Sequence, residues 1–176
     1  MILYEPYHLW ASLCAGALGL CFGSFVNVVT YRLPIMKRLG QYSDGEKLKE
    51  LREQGHFNLA VPSSACPQCG TSIKPWFNIP LFGWLALRGK CFSCKGKIPV
   101  EYPAVELLFG FVFFAIVFTD GVTPTTAVRC LMVLLVFCAA RIYRDTQQVY
   151  KPLIAAAGVT LIMQIVLGGL GYAYSP

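Results

Sequence analysis

Residues 9–31 read LWASLCAGALGLCFGSFVNVVTY, a run from Leu9 to Tyr31 with no charged side chain. A bilayer core about 30 Å thick is crossed by roughly 20 apolar residues in a helix that rises 1.5 Å per residue. A helix also satisfies its own backbone hydrogen bonds where no water can do so. Outward from this stretch, three more segments have the same character. Tyr102–Thr119 carries one charge, Glu106; Val122–Ala140 carries one, Arg129; Pro152–Tyr174 carries none. A soluble bundle of buried helices is the competing reading, but these segments lack the polar stripe of a soluble helix. The sequence therefore predicts an all-α polytopic membrane protein with transmembrane helices at 9–31, 102–119, 122–140 and 152–174. Composition agrees: 56% of the 176 residues are hydrophobic and 14% charged, against about 25% charged in soluble domains. Mean hydropathy is +0.55. A disordered chain is excluded and an ordinary water-soluble globule disfavoured.

Charge placement sets the expected topology. The first span does not read as a cleaved signal peptide, because Met1–His8 holds Glu5 and no Lys or Arg where a basic start is needed. Of 15 basic residues, those from Arg32 to Lys97 fall in the long loop, Arg141, Arg144 and Lys151 fall near the third connection, and only Arg129 remains. The positive-inside rule puts the 32–100 loop and the 141–151 connection in the cytoplasm, with both termini periplasmic. The formal net charge of +6 is then explained by topology rather than by nucleic acid, and membrane lipid is the expected partner of the basic loop. Within that loop, Ser43–Glu53 reads as a short solvated helix with Leu48 and Leu51 on one edge and Lys49 in reach of Glu53. No internal repeat is visible.

Four of the eight cysteines, Cys14, Cys21, Cys130 and Cys138, lie in the spans, where a free thiol acts as a small hydrophobe. The others form Cys66-Pro-Gln-Cys69 and Cys91-Phe-Ser-Cys94. Paired C-x-x-C knuckles suit one tetrahedral zinc ion, giving a zinc-ribbon-like insertion over 66–94. A redox pair or disulfides are the alternatives, and a reducing cytoplasm disfavours them. Gly70 and Gly96 follow the knuckles, where positive φ is expected. A closed shell of four thiolates leaves no position for water, so the metal is expected to be structural. Trp76, Phe77, Phe82 and Trp84, interspersed with Pro75, Pro80 and Leu81, suggest a small core or a membrane-surface patch rather than a nucleic-acid stacking platform.

These residues also carry a resemblance. Gly23-Ser-Phe-Val-Asn27 with Tyr31-Arg-Leu-Pro34, Pro62-Ser-Ser-Ala-Cys66, Asn78-Ile-Pro-Leu81, Arg88-Gly-Lys-Cys91, Tyr102-Pro103 and Val105-Glu-Leu-Leu108 resemble, in order, the prepilin peptidases (type IV leader peptidases). The resemblance implies an inner-membrane aspartic peptidase that cleaves the leader of type IV pilin and type II secretion pseudopilin precursors at the cytoplasmic face. In many members it also implies N-methylation with S-adenosylmethionine. The family uses two aspartates, the first in an Asp-x6-Pro pattern and the second in Gly-x-Gly-Asp. Asp145, seven residues before Pro152, matches the first, so the resemblance makes Asp145 the candidate catalytic residue.

The chain departs from the family at Leu153, where Asp or Asn is usual, and at Thr146, Gln147 and Gln148. It contains no Gly-x-Gly-Asp. Two carboxylates sharing a proton are what activates water, so Asp145 alone is half of such a pair. Glu106 is a further carboxylate in a span and earns a functional hypothesis by default, but the family carries it beside both aspartates. Arg141 and Arg144 also make Asp145 a candidate ion pair. Asn27 is expected to bond a neighbouring helix, with Gly19 and Gly23 allowing close approach. The expectations are therefore twofold. One is a truncated or partner-dependent prepilin-processing protein whose missing half comes from a second chain, with the zinc loop receiving the cationic leader. The other is a non-enzymatic scaffold or adaptor in a pilus or type II secretion assembly. The sequence shows no glycine-rich nucleotide loop for S-adenosylmethionine.

Overall fold

The structure is a computed structural model that describes residues 6–173; Glu5 and Tyr174 lie outside the described residues. Six α-helices follow in order: α1 Pro6–Lys37, α2 Glu46–Glu53, α3 Phe82–Ala86, α4 Glu101–Asp120, α5 Pro124–Thr146 and α6 Lys151–Ala173. Short 3₁₀ turns lie at Gly40–Tyr42 and Pro75–Asn78. Helices α1, α4, α5 and α6 are long and apolar enough to cross a membrane. The fold is all-helical with four candidate spans, as the sequence predicts. Between α1 and α4 the chain is a loop that contains α2, α3 and two isolated antiparallel bridges, Ala65 with Ser72 and Lys90 with Lys97. The described residues form two compact units: Leu20–Phe109, and the residues up to Gly19 with those from Gly110 onward.

In the Leu20–Phe109 unit, α1 runs past its expected end at Tyr31 to Lys37, through Pro34. Proline removes one helical hydrogen bond, so the extra turns need support from packing. Ile35 supplies it, fully buried in a cluster with Leu48 and Phe57, against which Met36, Tyr42 and Leu51 pack. The helix stops where Arg38 turns left-handed at φ 55°. There Leu39 N–H reaches back to Pro34 O at 2.9 Å and Arg38 N–H to Ile35 O at 3.3 Å, closing off carbonyls that the helix end leaves open. Helix α2 begins at Glu46, not Ser43, and is docked through Leu48 rather than free in solvent. Its ion pair is Lys47 with Glu50 at 2.9 Å, where the sequence suggested Lys49 with Glu53. Gly23 lets α1 and α4 touch: a Cβ there would lie 2.8 Å from Glu106 Cα and 2.9 Å from Val105 O. Beside it, Asn27 Nδ2 donates to Tyr102 O on α4 at 3.2 Å, the interhelical bond the sequence suggested.

In the other unit, α5 and α6 pack on each other. The Thr123 side chain caps α5 by accepting from Thr126 N–H at 3.1 Å, and Pro124 occupies the first turn, both preferred at a helix start. Arg129, the isolated basic residue of the sequence, is ion-paired to Asp120 across the α4–α5 turn. Helix α5 extends six residues past the predicted Ala140 to Thr146 and ends at left-handed Gln147, φ 53°.

Candidate metal centre

Each C-x-x-C pair sits in a tight turn closed by three backbone bonds. In the first, Cys66 N–H donates to Thr71 O (2.9 Å), Gly70 N–H to Cys66 O (2.9 Å) and Ile73 N–H to Ser64 O (2.7 Å). The same three recur with Cys91 in place of Cys66: Cys91 N–H to Gly96 O (2.8 Å), Lys95 N–H to Cys91 O (3.1 Å) and Ile98 N–H to Gly89 O (2.8 Å). The repetition lies in the backbone, and the sequence hides it because little beyond the cysteines is shared. One expectation is corrected here. Gly70 takes the left-handed position at φ 70°, but in the second knuckle Lys95 takes it at φ 60°, not Gly96. Gly96 lies instead under the Gln68 side chain.

The two turns bring Cys66, Cys69, Cys91 and Cys94 Sγ within 4.8 Å of one another. Cys66 lies 3.9 Å from Cys94, and Cys69 lies 4.0 Å from Cys91. Four sulfurs about 2.3 Å from a tetrahedral zinc stand about 3.8 Å apart. The donor set therefore fits zinc in type, number and spacing. None of the eight cysteines is in a disulfide.

Electrostatics point the same way. The Thr71 hydroxyl, 3.3 Å from Cys69 Sγ, and the Thr71 backbone N–H pull the Cys69 thiol down to about 6. The N–H groups of Cys94 and Ser93 lower Cys91. Cys94 is favoured by the Gly96 N–H, yet the gathered sulfurs of Cys69, Cys91 and Cys66 push it up to about 11. Backbone donors thus favour thiolates, while the thiolates oppose one another. A dication at their centre removes that conflict.

Two buried side chains anchor the loop to the helices. Glu106, on α4, accepts the Leu81 N–H at 2.8 Å. Leu81 stands at φ 61°, ψ −46° at the start of α3, and Phe82 N–H closes the tight turn onto Pro80 O at 2.6 Å. That γ-turn conformation is strained for a residue with a Cβ, and the buried carboxylate bonds to its central amide. Arg32, on α1, donates through Nη1 to Asn58 O (2.9 Å) and through Nη2 to Pro62 O (2.7 Å), with its guanidinium 5.7 Å from the Phe57 ring centre. Sequence reasoning treated Arg32 as a topology charge and left Glu106 without a partner. Its only signal for either was a charge at or inside a span.

Asp145 occupies the last turn of α5, with Arg144 Nε at 2.8 Å and Arg141 Nε at 3.5 Å. A carboxylate there faces the negative end of the helix dipole, and the two arginines offset that. Of the aromatic group, Trp84 Nε1 donates to Ile98 O at 3.2 Å, while Trp76 and Phe82 stand exposed.

Residues 17–119 match the bacterial peptidase A24 N-terminal domain. The chain is 50% identical over 101 residues to the prepilin leader peptidase/N-methyltransferase of Stutzerimonas stutzeri, covering 56% of this chain and 35% of that protein. It is 49% identical over 98 residues to the protein of the same name from Pseudomonas aeruginosa, covering 54% and 34%. With that of Neisseria gonorrhoeae it shares 39% identity over 137 residues, covering 76% and 48%. The chain thus spans about a third to a half of the length of these curated relatives. No solved structure matches it. With more than half of its residues inside that domain and the four-cysteine loop at its centre, the chain belongs to the prepilin peptidase family.

Proposed function

We propose that this protein acts on type IV pilin or pseudopilin precursors at the cytoplasmic face of the bacterial inner membrane, as the zinc-ribbon-bearing part of a prepilin-processing system. The observation that supports the reading is the domain match over residues 17–119, which contains both knuckles and both anchors. The basic loop is cytoplasmic and the termini periplasmic, by the positive-inside rule. Cys66, Cys69, Cys91 and Cys94 would hold zinc, whose contribution is to fix the fold of a loop that has little core of its own.

Asp145 is the candidate for one of two catalytic carboxylates. Two acids are required for one to act as base and the other as acid on water. These 176 residues contain no Gly-x-Gly-Asp, so leader cleavage calls for a segment outside them that carries it. Within that scheme Arg141 and Arg144 position the Asp145 carboxylate at the end of α5. Methyl transfer would need S-adenosylmethionine, and the sequence offers no glycine-rich loop for it; no step is assigned to that cofactor. One observation favours a second reading, a non-enzymatic adaptor: Asp145 is already engaged by two arginines.

The test incubates membranes holding the chain, alone and with a co-expressed Gly-x-Gly-Asp half, with a prepilin substrate and methyl-labelled S-adenosylmethionine. Leader cleavage that needs both parts and is lost in Asp145→Asn supports the processing reading. Precursor capture without cleavage or labelling in either preparation supports the adaptor. Neither capture nor cleavage removes both.

A further inference from the structure

The segment between Glu53 and Glu101 contains no acidic residue, while Lys74, Arg88, Lys90, Lys95 and Lys97 are cationic and all exposed. A dication on four thiolates would leave about two negative charges, and the segment would stay positive. The same segment leaves large apolar side chains in the open. Trp76 and Phe92 are each 53% exposed, Phe82 55% and Leu85 64%. Trp76 and Phe92 are not scattered. Lys74 Nζ lies 5.5 Å from the Trp76 ring centre and 4.9 Å from that of Phe92, and the Phe77 and Phe92 rings are 5.6 Å apart. Helix α3 packs the Gly83 side on the Pro75–Asn78 turn, so tightly that a Cβ would collide with Phe77 O. Phe82 and Leu85, one turn apart, are left outward.

Lys95 Nζ lies 5.5 Å from the same Phe92 ring. We propose that this aromatic and basic surface of the zinc loop lies on the anionic lipid leaflet, with Trp76 and Phe92 in the interface and Lys74 and Lys95 against lipid phosphates. Rings with an apolar body, flanked by lysines, suit the headgroup layer. Each lysine near such a surface contributes a factor of about five to attraction. The loop enters and leaves between two candidate spans, α1 and α4, so the leaflet is its covalently enforced neighbour. A cationic precursor leader is the wrong charge for this face, so it would be received elsewhere on the loop. The contact depends on the spans alone and not on prepilin processing, so the two can fail separately.

The test uses the full chain in nanodiscs of phosphatidylcholine, with and without phosphatidylglycerol. The emission of Trp76 is isolated as the difference between wild type and Trp76→Phe, and brominated lipids serve as quenchers. The proposal expects quenching of the Trp76 component that is greater in anionic discs and falls toward the phosphatidylcholine value in a Lys74→Gln, Lys95→Gln double variant. Amide exchange across residues 74–92, read on wild type, should slow in anionic discs. A Trp76 component untouched by brominated lipid and open to iodide overturns it. So does equal quenching in the two lipids, or shielding that appears only when a precursor peptide is added.

Discussion

The Glu106 carboxylate, on the second candidate span, accepts a hydrogen bond at 2.8 Å from the backbone N–H of Leu81, the residue held at φ 61° where the four-cysteine loop turns into α3. A charge inside a span is thereby accounted for as an anchor for a strained turn. Replacing it with alanine leaves a part-buried N–H without its acceptor, at a cost of roughly 1–3 kcal/mol. Glu106→Ala should therefore speed exchange of the Leu81 amide and loosen residues 79–86. Glu106→Gln, which keeps a carbonyl acceptor, should preserve most of the protection. Equal protection in Glu106→Ala and wild type would show the bond to be incidental.

Arg32 holds the other side of the loop through two carbonyls of residues 58 and 62. Hydrogen bonds from a charged donor contribute about 1.5–3 kcal/mol when buried. Arg32→Lys keeps the charge but cannot fork to both oxygens. Limited proteolysis should cut residues 57–64 faster in Arg32→Lys than in wild type, and faster again in Arg32→Ala, with the spans intact.

Gly23 and Gly158 form a matched pair for testing helix contact. A Cβ at Gly23 meets the α4 backbone at 2.8 Å, while one at Gly158 meets nothing within 4 Å. Overpacking costs about 1–3 kcal/mol, so Gly23→Ala should lower resistance to unfolding in detergent, and Gly158→Ala should leave it level or slightly higher. Thermal unfolding of the purified variants in one detergent makes the comparison.

Asp145 separates stability from chemistry. Its close pair, with Arg144 at 2.8 Å, is exposed, and the one with the more buried Arg141 is long at 3.5 Å; exposed pairs contribute about 0–1 kcal/mol. Asp145→Asn should leave the unfolding midpoint nearly unchanged while abolishing any leader cleavage seen with a supplied Gly-x-Gly-Asp half. Cleavage at the wild-type rate in that variant would remove Asp145 from the catalytic role.

The four spans and the four thiols were legible in the sequence for the same reason: each is a local pattern with little ambiguity. Eighteen or more nearly uncharged residues have few other structural solutions, and two C-x-x-C pairs converge because each knuckle folds on itself. What escaped was non-local or compensated. The bonds of Arg32 to Asn58 and Pro62, and of Glu106 to Leu81, join residues far apart in sequence, and no periodicity marks them. Helix α1 continued through Pro34 because Ile35 had a buried cluster to join, a tertiary gain that local rules cannot see. Lys95 took the left-handed position expected of Gly96 because the second knuckle repeats the first bond for bond, which placed that position one residue earlier.

The central claim is that the four thiols converge in order to hold one zinc ion, which fixes the loop. Elemental analysis of the full chain, purified in detergent without added metal, tests it most directly. The account predicts stoichiometric zinc in the wild type, lost in Cys69→Ser and Cys94→Ser together with protease resistance of residues 64–98. A folded, protease-resistant loop that carries no metal would contradict it.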